Sequence, residues 1–211
     1  MKSMLVIGLG HFGTKLAEEL TELGCEVMII DRNENKVSAA ADLVTASQIG
    51  DCCNDEVVRS LDVSSFDTCF VCIGDNFQSS LEITSLLSEN GAKRIVCKAS
   101  SEKQAKFLKI IGADEVILTT IDTARRTAIK YSTKNALDYI ELTPEYAIFE
   151  IAVPHAWVGK SVIDIGVRAK YDVNIIGFKE GDKIVPLLDA SRPFREGEHL
   201  MIAGSRKNPL V

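Results

Sequence analysis

The chain has 211 residues, 46% of them hydrophobic, and 30 acidic against 24 basic side chains, a formal net charge of −6. That composition excludes a disordered chain, and the acidic balance gives no attraction toward nucleic acid or an anionic membrane surface. No apolar run approaches the roughly 18 residues of a membrane helix, and the N-terminus has no apolar region followed by a small-residue cleavage site, so a cytoplasmic protein with no signal peptide is expected.

Met4–Ile7 reads as a first strand. Phe12, Leu16, Leu20 and Leu23 then recur at helical spacing, and Gly24 ends that helix. Val27–Ile30 is a second strand, Glu34–Ala41 a short helix and Val44–Ile49 a third strand. Asn54 caps a helix running to about Leu61. Cys69–Ile73 is a fourth strand, followed by a helix over Asn76–Glu89. Arg94–Lys98 and Glu115–Leu118 are further strands, with a helix over Lys103–Ile111 between them. Strand–helix alternation with continuously apolar strands predicts an α/β fold, a doubly wound parallel sheet.

The pattern changes near Asp122. Asp122–Leu137 reads as one helix carrying Arg125, Arg126, Lys130 and Lys134. Strand-type segments then dominate, at Tyr139–Leu142, Ala147–Val153, Val173–Phe178, Lys183–Leu187 and His199–Ile202. A turn is expected at Glu180–Asp182, and one helix at Ser161–Arg168. Two domains are therefore expected, residues 1–136 and a small α+β domain over 137–211.

The glycines of Gly8-Leu-Gly10-His-Phe-Gly13 follow a strand and open a helix, the setting a dinucleotide-binding turn requires. They permit a tight turn, close approach of backbone to phosphate, and close helix–strand packing. The helix N-terminus supplies free N–H groups. Asp31 ends the second strand, where a carboxylate accepts hydrogen bonds from ribose hydroxyls. Arg32 beside it suits a 2′-phosphate that Asp31 repels, so NADP is disfavoured. Asp51 follows the third strand and Asp75 the fourth. Both sit at strand ends beside the expected crevice, and Asp75 or Asn76 equally suits a helix cap. Lys98 ends the fifth strand.

Six cysteines without an export signal read as reduced core thiols. Cys69 and Cys72 form a C-x-x-C, but on a strand residues three apart face opposite ways and share no metal. Gly159-Lys-Ser161 matches the end of a phosphate-binding P-loop, yet Pro154 stands where the motif needs glycine. The histidines are scattered, and no acid–base constellation or nucleophile elbow is present, so no catalytic residue and no metal site are assigned. A small NAD-dependent dehydrogenase or an NAD(H)-binding redox sensor using Cys52 and Cys53 remain as alternative functions.

The opening from Met4 to Gly13, Asp31, Gly50-Asp51, the strand end Ile73-Gly74-Asp75 and Ile111–Val116 resemble an RCK (KTN) N-terminal domain. Ser161–Tyr171 and Arg195–His199 resemble the RCK C-terminal domain. The resemblance implies a non-catalytic regulatory subunit of a bacterial potassium-uptake system. It also implies homodimers assembling into an octameric ring beneath a membrane potassium-translocating partner, without membrane insertion or nucleic-acid binding. ATP, ADP, AMP or NAD(H) would occupy the crevice and change the ring's shape. The implied nucleotide residues are Gly8, Gly10, His11, Phe12, Gly13, Asp31, Arg32, Asp51, Cys52, Ile73, Gly74, Asp75, Asn76 and Lys98. A cyclic di-AMP pocket is implied at Ile165, Val167, Arg168, Ala169, Asn174, Ile175 and Pro186, with Arg168 pairing with phosphate. Two departures stand out. His11 replaces an arginine that many members use on the terminal phosphate of ATP. Thr120 replaces a glutamate linked to divalent ions in some members.

Overall fold

A computed structural model describes residues 1–132, 136–143, 145–181, 183–205, 207–208 and 210. The chain forms two compact units, Met1–Asp122 and Thr123–Val211.

The first unit alternates strand and helix throughout. Its elements are β1 (Ser3–Ile7), α1 (His11–Glu22), β2 (Glu26–Asp31), α2 (Glu34–Ala40), β3 (Ala46–Ile49), α3 (Asp55–Ser60), β4 (Thr68–Val71), α4 (Phe77–Glu89), β5 (Ile95–Lys98), α5 (Glu102–Ile111) and β6 (Glu115–Ile117). The strands pair in parallel in the order β3-β2-β1-β4-β5-β6. The order reverses beside β1, which pairs Ile7 with Ile30 of β2 on one side and with Val71 of β4 on the other. Connections leave β1 in opposite directions here, which opens a crevice at the carboxyl ends of the strands.

Successive residues of β1 feed two separate cores, as the strand repeat of two requires. Leu5 and Ile7 join Val58, Ile83, Leu87 and Leu108 beneath α3, α4 and α5. Met4 and Val6 join Ala17, Val37 and Ala40 beneath α1 and α2. Burial on both faces is why these strands read as unbroken apolar runs. Cys69 lies in the first core and Cys72 in the second, so the C-x-x-C is split by the sheet as its spacing predicts.

Helix starts follow local chemistry. Asn33, Asn54, Asn76 and Ser101 each accept a hydrogen bond from a backbone N–H in the first turn of α2, α3, α4 and α5. The predicted third strand begins two residues late, at Ala46, and Ile73 lies beyond β4 rather than in it.

Helix α6 spans Thr119–Ser132, not Asp122–Leu137, and β7 (Ala136–Glu141) already contains Leu137. Lys134 lies outside the described residues. The α6 residues are mostly exposed, so no apolar stripe marks the helix ends in the sequence. The second unit continues with β8 (Tyr146–Ala152), α7 (Val162–Ile165), α8 (Val167–Tyr171), β9 (Val173–Glu180), β10 (Lys183–Pro186) and β11 (His199–Ser205). Its strands form an antiparallel sheet in the order β10-β9-β11-β8-β7. The helix expected over Ser161–Arg168 is two helices, because Gly166 sits at φ +64 and breaks it. The turn between β9 and β10 includes Gly181, with Asp182 outside the described residues. The core of this unit holds Tyr139, Phe149, Phe178, Leu200 and Trp157, which stacks on Phe194. Among the described residues, no helix is long and apolar enough to cross a membrane.

Candidate functional site

The crevice at the β1–β4 reversal is built from strand ends and two helix starts. Gly8 follows β1 with φ +93, a conformation costly for any residue with a side chain. A Cβ there would also lie 2.9 Å from Ile73 Cγ1. Gly13, inside the first turn of α1, carries no side chain because a Cβ would lie 2.0 Å from the Gly8 carbonyl oxygen. Gly10 differs from both. Its backbone is extended, and a Cβ added there meets no atom within 4 Å. Gly10 is the N-cap of α1 and supplies no capping side chain, so the first N–H groups of α1 have no side-chain acceptor. An open cradle beneath uncapped N–H groups at the positive end of a helix fits an anion such as phosphate.

Asp31, at the end of β2, is fixed by two backbone donors. Leu9 N–H donates to Oδ2 at 2.6 Å and Asn33 N–H donates to Oδ1 at 2.9 Å. The first bond ties the acid to the glycine turn, so the two halves of the motif are physically joined. Asp31 does not cap α2; Asn33 does. Across the crevice, Asp51 accepts from the Cys53 N–H at 3.0 Å, and Asn76 caps α4 by accepting from the Ser79 N–H at 3.2 Å.

Of the residues expected here, Gly8, Gly10, Asp31, Arg32, Asp51, Cys52, Ile73, Gly74, Asp75 and Asn76 line one cleft. His11, Phe12, Gly13 and Lys98 do not. Gly13 is buried in the helix–strand contact, and His11 is exposed on α1. Lys98 stands at the border: a Cβ on Gly74 would lie 3.1 Å from its Nζ, and that ammonium lies 5.8 Å from the Phe12 ring centroid. Lys36, Cys53 and Ser79 also line the cleft and were not expected. Lys36 had a usable signal, being five residues past Asp31 in the first half of α2. Among the described residues, no group of three or more His, Cys, Asp or Glu side chains is arranged to hold a metal ion.

The cleft thiols are chemically quiet. Burial pushes the Cys52 thiol up to about 12, with the neighbouring Asp51 charge acting in the same direction. Burial likewise pushes Cys72 up to about 12 and raises Cys53. A protonated thiol is a poor nucleophile. All six cysteines are free, and only Cys25 and Cys53 are partly accessible. Thiol titration of the native protein should therefore find two accessible groups, Cys25 and a slower Cys53, and unfolding in denaturant should release the other four. Rapid reaction of more than two in the native state would contradict the packing described.

The second unit holds a shallower pocket. Val167, Arg168, Ala169, Asn174 and Ile175 line it as expected, together with Val162, Ile163, Gly166, Val173 and Leu187, which were not. Ile165 and Pro186 do not line it. Ile165 packs against the core of this unit, and Pro186 lies on the edge strand β10. The break at Gly166 starts α8 afresh, and Arg168 Nε donates to Asn174 Oδ1 at 2.8 Å. The pocket thus offers an apolar wall with one oriented guanidinium, suited to a flat ring bearing phosphate. Ser161, the candidate P-loop serine, instead caps α7 in a reciprocal pair with Asp164.

Comparison with known proteins agrees with this architecture. The TrkA-N domain model matches residues 4–119 and the TrkA-C domain model residues 146–208. The chain is 35% identical over 204 residues to Ktr system potassium uptake protein C of Bacillus subtilis, covering 97% of this chain and 92% of that one. It is 36% identical over 207 residues to Ktr system potassium uptake protein A of the same organism, covering 98% and 93%. Among solved structures, the GsuK channel superposes with a TM-score of 0.71 at 18% identity. That match covers 96% of this chain and 37% of the channel chain; a GsuK channel bound to NAD gives 0.66 at 16% identity, covering 97% and 37%.

Proposed function

The chain belongs to the family of proteins joining a TrkA-N to a TrkA-C domain, and from that membership we propose that it is a nucleotide-sensing regulatory subunit of a potassium-uptake system. Its partner is a separate membrane potassium-translocating subunit, reached from the cytoplasmic side by a homodimer that assembles into an octameric ring. We keep the domain division at 136/137, which falls between the two family matches. The role is regulatory rather than catalytic, in keeping with the Ktr relatives and with protonated cleft thiols.

The observation that carries the nucleotide reading is the open, uncapped α1 start at Gly10 joined through Leu9 to the Asp31 carboxylate. That arrangement suits a phosphate and a ribose of one ligand, and the adenine lies toward Asp51, Cys52 and the Ile73–Asn76 strand end. Gly8 and Gly13 shape the turn, and Lys98 adds charge at the phosphate side. His11 and Phe12 contribute backbone N–H groups of the first turn. The ligand is ADP, ATP, AMP or NAD(H). A tenfold preference for one ring shape biases the equilibrium by about 1.4 kcal/mol per site, and equivalent sites multiply it.

The pocket around Arg168 is a second ligand site, for cyclic di-AMP. Thermal unfolding with each ligand tests both sites, since a ligand at 100 times its Kd adds about 2.7 kcal/mol to the native state. Adenine nucleotides should raise the midpoint of the wild type. Arg168→Ala should abolish the cyclic di-AMP shift and keep the nucleotide shifts. Loss of both shifts, or of neither, would refute the two-site assignment.

A further inference from the structure

Helix α8 carries Arg168, the cation of the second pocket, on a span of five residues. A helix that short is not stable in water by itself. Both flanking residues are left-handed, Gly166 at φ +64 and Asp172 at φ +52, so tertiary contacts rather than the neighbouring chain set its direction. Its first residue, Val167, is buried in the core of the second unit. Its last residue, Tyr171, is held twice. The ring packs on Trp157 with centroids 5.3 Å apart. The carbonyl, one of the acceptors that a helix end leaves unpaired, accepts from Asn208 Nδ2 at 2.5 Å. Asn208 lies beyond β11, 37 residues along the chain, and is 9% exposed. Its amide works in both directions. Oδ1 accepts from the Leu210 N–H at 3.0 Å, and Leu210 packs against the same core.

We propose that the segment after β11 is a strap that pre-sets the Arg168 pocket, with Asn208 as its positioning residue. The inference rests on the reading of that pocket as a ligand site. Arg168 and Tyr171 are three residues apart, one turn of α8. Fixing the Tyr171 carbonyl therefore fixes the turn from which the guanidinium reaches Asn174 Oδ1 at 2.8 Å. Without the Asn208 donor the end of α8 frays, and a ligand must then order the guanidinium at its own expense in affinity. A ligand that grips Arg168 must in turn hold the strap down, because coupling between two sites is reciprocal.

Calorimetry of cyclic di-AMP binding to the full chain, together with trypsin cleavage after the exposed Lys207, tests the strap. Asn208→Asp keeps the acceptor for Leu210 and removes the donor to Tyr171. It should weaken cyclic di-AMP binding about tenfold while Trp157 fluorescence reports a folded second unit. Ile151→Val deletes a methyl group from the same core without touching the pocket lining, and should leave binding unchanged. A folded Asn208→Asp that binds like the wild type, or equal weakening by Ile151→Val, overturns the positioning role. Cyclic di-AMP should also slow cleavage after Lys207 several-fold in the wild type and leave it unchanged in Arg168→Ala. A wild-type cleavage rate indifferent to bound cyclic di-AMP overturns the coupling whether or not Asn208→Asp folds. Failure of cyclic di-AMP to bind the wild type instead rejects the pocket reading on which the strap's role rests.

Discussion

Gly13→Ala is expected to unfold the first unit under mild conditions, whereas Gly10→Ala, three residues away in the same motif, should leave it folded. A Cβ at Gly13 would stand 2.0 Å from the Gly8 carbonyl oxygen and 3.1 Å from Cys72 Cβ. The nearer atom is backbone, held by the turn and by the Gly8 N–H bond to the Ile30 carbonyl, so it cannot swing away. Relief requires α1 to move off β1 and β4, opening the core that holds Val6, Ala17 and Ile29. Such overpacking costs about 3–5 kcal/mol, much of the stability of an ordinary domain. At Gly10 the Cβ meets no atom within 4 Å, and the backbone is already one any residue adopts. Its cost is about 1 kcal/mol or less, from poorer capping. The methyl group would occupy the cradle above α1, so nucleotide binding should fall by at least tenfold. Urea unfolding with and without ADP measures both effects. A Gly13→Ala protein as stable as the wild type would contradict the helix–strand packing.

Glu150→Ala should destabilise the second unit by about 2–4 kcal/mol. Glu150 lies on β8 with its side chain 8% exposed. It receives Lys179 Nζ from β9 at 2.5 Å, and His199 Nδ1 from β11 lies 2.8 Å away. Burial alone would raise this carboxyl, but the hydrogen bonds from Lys179 and His199 outweigh it and hold the group below the usual range. A depressed carboxyl stabilises the native state above its unfolded pKa, and the contribution is lost as pH falls through the folded value. The second unit should therefore lose stability on acidification below about pH 4.5, and Glu150→Gln should flatten that dependence. Trp157 is the single tryptophan of the chain and is buried in this unit, so its fluorescence reports the transition directly. An unchanged acid profile in Glu150→Gln would rule out the carboxylate as its source.

Much of the first unit was legible because its local signals and its tertiary environment agree. Leu5, Val6 and Ile7 are buried on both faces of the sheet, so β1 reads as an apolar run. Asn54 and Asn76 announce two helices that they do cap, while the cap of α2, Asn33, was not picked out. Strand-end residues of the cleft were legible for a topological reason: a reversal beside β1 brings the ends of β1 to β4 together whatever their side chains. Lys36, Cys53 and Ser79 come instead from α2, the loop before α3 and α4; Lys36 was reachable from its spacing to Asp31, whereas which face of α4 turns inward depends on packing that no short motif encodes. His11 and Phe12 belong to the motif in sequence but sit on α1, outside the cleft lining. The second unit was harder. Helix α6 is exposed almost throughout, so nothing in its periodicity separates Ser132 from the residues before β7, and the β7–β8 pairing shifts register between Ala136 and Asp138. The break at Gly166 was visible only as a glycine, and it is this break that begins α8 and sets Arg168 beside Asn174.

Potassium flux into liposomes holding the membrane translocating partner, with this chain added alongside ATP, ADP or no nucleotide, tests the central claim most directly. The chain should alter flux several-fold in a nucleotide-dependent manner, and Gly10→Ala should abolish the nucleotide dependence while the protein stays folded. Flux that is indifferent to the chain, or that responds to it equally with and without nucleotide, would contradict a role as a nucleotide-sensing regulator.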